Sequence, residues 1–366
     1  MNASAEITYG PDADALLGLT ATLIDIPSVS RDEEQIVAWL RAELERRPWL
    51  TVDQVGMNLV ARTNLGRSAR VVLAGHTDTV PVNGNATAVR KGDTVRGLGA
   101  SDMKGGLAVG LALACDVAEP AVDVTYVFYA REEIAAVESG LAELIEARPD
   151  LLAGDCAILG EPTGAEIEAG CQGTMRARIR LRGERAHTAR PWMGRNAVHR
   201  IGALMAILDA CPAREPVIDG CRYREAVQAV HVVGGVAGNV VPDDVTVLVN
   251  HRFAPDRTAA EAEAFLRTLV APVFEDGDEF EIVDVSEGAL PSLSHPLLRR
   301  LVDANNLSVV AKYGWTDVAR FASLGIPATN FGPGDSALAH TAGEWVSGAA
   351  MMRVYAALHE LLTHDI

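Results

Sequence analysis

Short apolar runs that end in an acid or a histidine recur along this chain, and they constrain its fold more than any other feature. Val71-Val72-Leu73-Ala74 leads into His76 and Asp78. Val124 to Tyr129 precedes Glu132 and Glu133, and Cys156-Ala157-Ile158-Leu159 precedes Glu161. Continuous apolar runs of this length read as strands buried on both faces, in a parallel or mixed sheet. Charged groups at the ends of such strands are placed to converge. Asp102, in Ala-Ser-Asp-Met-Lys-Gly-Gly, and His340, in Leu-Ala-His-Thr-Ala-Gly-Glu, also follow small or apolar residues.

Helices are expected between these strands. Asp12 to Ile26 has helical apolar spacing. Ser28-Val29-Ser30 before Asp32-Glu33-Glu34 reads as an N-cap and acidic first turn of a helix running to about Arg46. Gly105 to Val117 and Ser139 to Glu146 read as further helices, and the alternation indicates an α/β core. Near Thr174 the pattern changes: Arg176, Arg178, Arg180 and Arg182 alternate with Ala177, Ile179 and Leu181. Strict alternation predicts an antiparallel strand with one wet face. Val230 to Val233 and Val245 to Val249 read as strands, Ala197 to Asp209 and Ala259 to Leu269 as helices. Residues 175–287 therefore form an expected α+β insertion. Residues 1–174 and 288–366 form the α/β domain, with a helix from Pro296 to about Ala304 and a strand over Ala328 to Phe331.

The acids and histidines suit a metal. Zinc takes imidazole nitrogen and carboxylate oxygen. Two ions need about six ligands, or five if one carboxylate bridges. The candidates are His76, Asp102, Glu133, Glu161 and His340. Asp78, two residues after His76, can orient its imidazole. Glu132 and Glu133 are adjacent and can divide the work, one binding metal and the other acting as general base. Each residue alone has an ordinary reading: a hydrogen-bonded histidine, or a solvated Glu-Glu pair. Spacing alone supports a metal site and nothing finer.

Composition removes several alternatives. The chain carries 32 basic and 49 acidic residues, a net charge of −17, which repels nucleic-acid phosphate. Five cysteines without Cys-x-x-Cys spacing argue against a disulfide framework or a thiolate zinc site. The N-terminal segment has neither the basic stretch nor the apolar core of a leader, and Gly105 to Cys115 is too short to cross a bilayer. A cytoplasmic protein without membrane association is expected.

The order of these motifs resembles the di-zinc aminoacylase and carboxypeptidase-G family of metallohydrolases. The likeness runs from Leu23-Ile24-Asp25-Ile26-Pro27-Ser28 to Ala339-His340. It is carried by Gly-His-Thr-Asp-Thr-Val, Ser-Asp-Met-Lys-Gly-Gly, Leu159-Gly160-Glu161-Pro162-Thr163 and Asn330-Phe331-Gly332-Pro333-Gly334-Asp335. The resemblance implies an amide hydrolase acting on an N-acyl amino acid. It implies two zinc ions bridged by Asp102, one completed by His76 and Glu161 and the other by Glu133 and His340, with cobalt able to substitute. It makes Glu132 the general acid and base. It makes residues 175–287 a dimerisation lid supplying His187 to the oxyanion and Asn239 to the substrate. Arg252 resembles a carboxylate-gripping arginine, beside the reading of a strand-face ion pair. Thr316, Arg320 and Gly332 are the remaining substrate-binding candidates. An N-acetylornithine deacetylase or a dipeptidase of the same fold, and a non-catalytic binding protein, are the rival readings. Two segments depart from the family pattern: Thr-Ala-Gly-Glu-Trp-Val after His340, and Gly-Trp-Thr-Asp at residues 314–317.

Overall fold

A computed structural model describes residues 9–364 of the chain. They divide into two compact units: residues 9–169 with Ser292–Val310 and residues 320–364, and Gly170–Pro291 with Ala311–Ala319. Among the described residues, no helix is long and apolar enough to cross a membrane.

The first unit is built on an eight-stranded mixed sheet. Its spatial order is Thr51–Val55, Asn58–Arg62, Asp123–Tyr129, Arg70–His76, Cys156–Leu159, Ala328–Asn330, Ile167–Ala169 and Val309–Ala311. Asp123–Tyr129, Arg70–His76, Cys156–Leu159 and Ala328–Asn330 are mutually parallel. Asp123–Tyr129 is buried along its whole length, as is Cys156–Leu159, which is why both sequences are apolar without alternation. The chain leaves Arg70–His76 for a neighbour on one side, then returns to a neighbour on the other. That strand is therefore a topological switch point, where a crevice opens beyond the strand ends.

Helices Ala13–Asp25, Gly105–Asp116 and Gly348–Thr363 pack on one another. Gly105–Asp116 is buried nearly all round, and its glycine serves close packing: a Cβ on Gly106 would lie 2.1 Å from the carbonyl oxygen of Gly160. The expected cap at Ser28 to Ser30 is not what starts the second helix. That helix is Glu34–Glu45, with Glu33 at its N-cap and no side-chain cap. Ser30 instead donates to the Asp78 carboxylate at 2.7 Å. A serine hydroxyl can serve either bond, and here the buried acid takes it.

The second unit is a four-stranded antiparallel sheet, in the order Ala226–Gly234, Asp244–Phe253, Gly173–Arg182 and Glu279–Ser286. Ala177, Ile179, Leu181, Val245, Val247 and Val249 point from it into a core shared with Leu204 and Leu208 of helix Ala197–Asp209 and Leu266 of helix Ala259–Val270. The opposite face carries the arginines. Arg176 pairs with Asp284, Arg178 with Glu281, Arg180 with Asp244, and Arg182 with both Asp244 and Glu279.

Candidate metal centre

The four parallel strands deliver their C-terminal ends to one edge of the sheet. Ala74 lies opposite Leu159 and His76 opposite Tyr129. His76 and Glu161 therefore each stand two residues beyond a matched pair, and Glu132 and Glu133 follow just past the third strand. Gly332, beyond the fourth, packs closely: a Cβ there would lie 2.2 Å from the carbonyl oxygen of Gly160 and 2.4 Å from that of Glu161. Its own carbonyl accepts from the Thr163 hydroxyl at 3.0 Å, so Gly332 braces the turn that holds Glu161.

His76, Asp102 and Glu133 each offer a ligand atom, and these atoms all lie within 4.8 Å of one another. The two oxygens of Asp102 face different imidazoles. Oδ1 is 3.2 Å from Nε2 of His76, and Oδ2 is 3.5 Å from Nε2 of His340. His340 Nε2 also lies 3.0 Å from Oε1 of Glu133. Residues far apart in sequence thus form one chain of donors, His76–Asp102–His340–Glu133. Glu161 is buried and lies outside the tight group of three.

Asp78 organises this group from behind. Nδ1 of His76 is 3.0 Å from the Asp78 carbonyl oxygen and 3.6 Å from its carboxylate. The main-chain oxygen therefore does most of the orienting that the sequence assigns to the side chain. The carboxylate is occupied elsewhere: it accepts from the amides of Glu132 and Glu133, at 2.9 and 3.1 Å, and from Ser30. Asp78 thus fixes both the histidine and the Glu-Glu turn.

The electrostatics describe a site that seeks positive charge. Burial opposes protonation of His76, but hydrogen bonds to Asp102 and Asp78 outweigh it and push the imidazole pKa well above its ordinary value. Hydrogen bonds to Asp102 and Glu133 raise His340 to about 10. Burial works against ionised Asp102, yet His340 and His76 hold its pKa below the usual carboxylate range. Two imidazoles and a set of acids, with no lysine or arginine among them, are the donors that zinc and similar divalent ions take. The residues fit a metal centre on their chemistry alone, with one carboxylate turned to two histidines.

One residue of this region was not singled out from the sequence. Glu344 is 1% exposed, and its carboxylate accepts from the amides of Gly99, Ser101 and Asp102. The signal was present, an acid four residues after His340, but the segment reads in sequence only as a departure from pattern.

The other candidates have contacts of their own. Arg320 is in the first unit and donates to the carbonyl of Ala136 at 3.0 Å. His187, Asn239, Arg252 and Thr316 belong to the second unit. His187 bridges to Val240, and the Thr188 amide donates to the Asn239 carbonyl at 3.1 Å, which brings the two loops together. The Ala189 amide donates to Nδ1 of His187 at 3.0 Å. That bond leaves the ring proton on Nε2, so an exposed donor faces outward. Arg252 forms no ion pair among the described residues, unlike the four arginines of Gly173–Arg182, and Arg176 nearby adds to its positive surroundings. Thr316 is buried, and its carbonyl lies 3.7 Å from the thiol of Cys171.

The family model described as peptidase family M20/M25/M40 matches residues 72–364. The chain belongs to that family. Among its M20 relatives is a protein of Mycobacterium tuberculosis named as a succinyl-diaminopimelate desuccinylase, 52% identical over 330 residues, covering 90% of this chain and 92% of that one. A succinyl-diaminopimelate desuccinylase of Corynebacterium glutamicum is 41% identical over 351 residues, covering 94% of this chain and 95% of that one. The M20 fold also appears in a tripeptidase from Staphylococcus aureus, with a TM-score of 0.78 at 20% identity over 96% of this chain and 98% of that one. A dinuclear metal-binding peptidase from Bacillus subtilis gives a TM-score of 0.69 at 16% identity, over 95% of this chain and 97% of that one.

Proposed function

We propose that this chain hydrolyses the amide of N-succinyl-LL-2,6-diaminopimelate, releasing succinate and LL-2,6-diaminopimelate. The observation that carries the reading is the identity of 52% and 41% to two proteins that bear the name succinyl-diaminopimelate desuccinylase, over nine-tenths or more of the chain, together with a donor set of His76, Asp102, Glu133 and His340. In this reading the cofactor is a pair of zinc ions. His76 and Glu161 would hold one and Glu133 and His340 the other, with Asp102 serving both. When bound, such a pair polarises a carbonyl and makes water a stronger acid.

The chain's own residues supply the proton transfers. Glu132 stands beside Glu133 but outside the group of three, and its carboxylate is near enough to favour a charged His76. It accepts a proton from the attacking water and returns it to the leaving amine. Asp78 holds the amide of Glu132 and so aims this residue. His187 offers its Nε2–H to the oxyanion of the tetrahedral intermediate, where a donor counts most. Arg252, which pairs with no carboxylate among the described residues, is the cation for a substrate carboxylate, and Asn239, Thr316, Arg320 and Gly332 are the remaining candidates for binding substrate.

The same reading makes the protein a cytoplasmic homodimer joined through the inserted unit. Support comes from the strand Ala226–Gly234, at the edge of its sheet with Val230, Val232 and Val233 exposed. An edge strand with exposed valines is a ready template for pairing with a second copy.

The test is an assay of zinc-loaded protein on N-succinyl-LL-2,6-diaminopimelate beside N-acetylornithine, with and without chelator. Chelator-sensitive release of succinate, with little action on the acetyl compound, is expected. Turnover of neither compound by zinc-loaded protein would contradict the substrate.

A further inference from the structure

Glu344 is a buried acid that the reaction above leaves unused. Its Oε1 accepts from the amides of Ser101 and Asp102, both at 2.8 Å, and its Oε2 from the amide of Gly99 at 3.1 Å. A buried carboxylate is costly unless it is hydrogen-bonded in this way. Three amides converge on it only when residues 99–102 adopt one particular turn, with Gly99 at a positive φ of 76°. The carboxylate therefore selects the conformation from which the Asp102 side chain projects.

The same residue also belongs to the loop that carries His340. The Thr341 amide donates to the Leu338 carbonyl at 3.2 Å, and the Glu344 amide to the Thr341 carbonyl at 3.3 Å. The Glu344 carbonyl in turn accepts from the Gly97 amide at 3.1 Å. Two hydrogen-bonded turns thus run from His340 to Glu344, and from there both main chain and side chain grip the Asp102 loop. A second tie comes from Ser101, whose hydroxyl donates to the Asp335 carbonyl at 2.9 Å and accepts from the Asp335 amide at 2.6 Å. Lys104 holds the far end of the turn, donating to the carbonyls of Leu23 and Ile26 at 2.8 and 3.0 Å.

We propose that Glu344 is a positioning residue that sets Asp102 against His340 and thereby fixes the affinity of the metal centre. Both its oxygens are engaged with amides, so it acts through Asp102 and not as a ligand. The inference rests on the metal-centre reading given above, which it deepens.

The test titrates the full chain, stripped with chelator, with zinc chloride in a calorimeter, and records the visible spectrum of the cobalt-loaded protein. Glu344→Ala leaves three amides without their acceptor, and zinc affinity is expected to fall by about 10-fold to 100-fold, the range for partners that orient ligands. The cobalt bands should shift, because the geometry of Asp102 has changed. Glu344→Gln keeps one oxygen for Ser101 and Asp102 and is expected to retain most of the affinity, even should the alanine variant fold poorly. Wild-type affinity and spectrum in Glu344→Ala would overturn the inference. Equal losses in the glutamine and alanine variants would overturn it too, by assigning the effect to charge. Wild-type protein that takes up no zinc would overturn the metal-centre reading itself, and is told apart by needing no variant.

Discussion

The two units of this protein handle charge in opposite ways. On the sheet of the second unit, Arg176, Arg178, Arg180 and Arg182 each face a carboxylate from a neighbouring strand, exposed and paired within the chain. At the strand ends of the first unit, Asp102 and Glu133 are buried or nearly so, and the cations in reach are two histidines. The first arrangement is complete. The second is complete only with positive charge from elsewhere, as a proton or as a metal. Counting acids and bases in the sequence could not separate the two; the sheet positions do.

The buried histidines make the same contrast. His76 is 1% exposed and surrounded by acids, which favour its charged form. His251 is 0% exposed, its ring nitrogens have no hydrogen-bond partner among the described residues, and burial lowers its pKa to about 4. The acids around one histidine favour a proton or a metal, and burial without partners excludes charge from the other.

The largest expected effect tests the first unit. Glu132→Gln should lower kcat by about 1,000-fold, within the span of general acid–base catalysis, while zinc uptake measured by calorimetry stays as in the wild type. Near-normal turnover would remove Glu132 as the base.

The next effect tests the second unit through its buried histidine. The folded state holds His251 near 4 while the unfolded chain titrates near 6.5, so the unfolded state binds the extra proton between those values. Stability from this group is full above pH 6.5 and is lost as pH falls towards 4, by about 3 kcal/mol at the limit. Denaturant unfolding of His251→Phe beside the wild type should therefore show a shallower acid loss in the variant. Parallel curves would show that His251 is not buried in its neutral form.

Asp78→Asn comes third. It keeps the main-chain carbonyl that orients His76 but weakens the acceptor for Ser30, Glu132 and Glu133, and zinc affinity or turnover should fall by about 10-fold or somewhat more. The smallest effects separate paired from unpaired arginines. Arg252→Met should raise KM for the succinylated substrate by about 10-fold, as loss of one charge-assisted bond does. Arg178→Met, which breaks an exposed pair with Glu281, should change neither KM nor stability by more than about 0.5 kcal/mol. Equal effects from the two would dissolve the contrast between paired and unpaired arginines.

Legibility in the sequence followed burial. The strand at Cys156–Leu159 and the helices Ala197–Asp209 and Pro296–Ala304 are where the apolar pattern puts them, because their faces are decided by a core. The hairpin Thr51–Val55 and Asn58–Arg62 and the small sheet of Val89–Lys91, Thr94–Arg96 and Trp345–Ser347 were not legible. The three-residue strands of the small sheet carry too little periodicity to register, and Thr51–Val55 is not buried, so no core decides its pattern. In the site, His76 and Glu133 announce themselves by following apolar strands. Glu344 does not, because its partners are main-chain amides of a turn that no side-chain pattern encodes. Ser30 misled for a related reason: its bond to Asp78 spans residues that only the fold brings together.

The central claim, that the acids at the strand ends await a metal, is tested most directly by zinc titration of the chelator-stripped wild type beside Asp102→Ala. The account predicts two zinc ions per wild-type chain and the loss of both tight sites in the variant, since one carboxylate serves both. A wild-type chain that binds no zinc, or an Asp102→Ala variant that binds two ions with unchanged affinity, would contradict it.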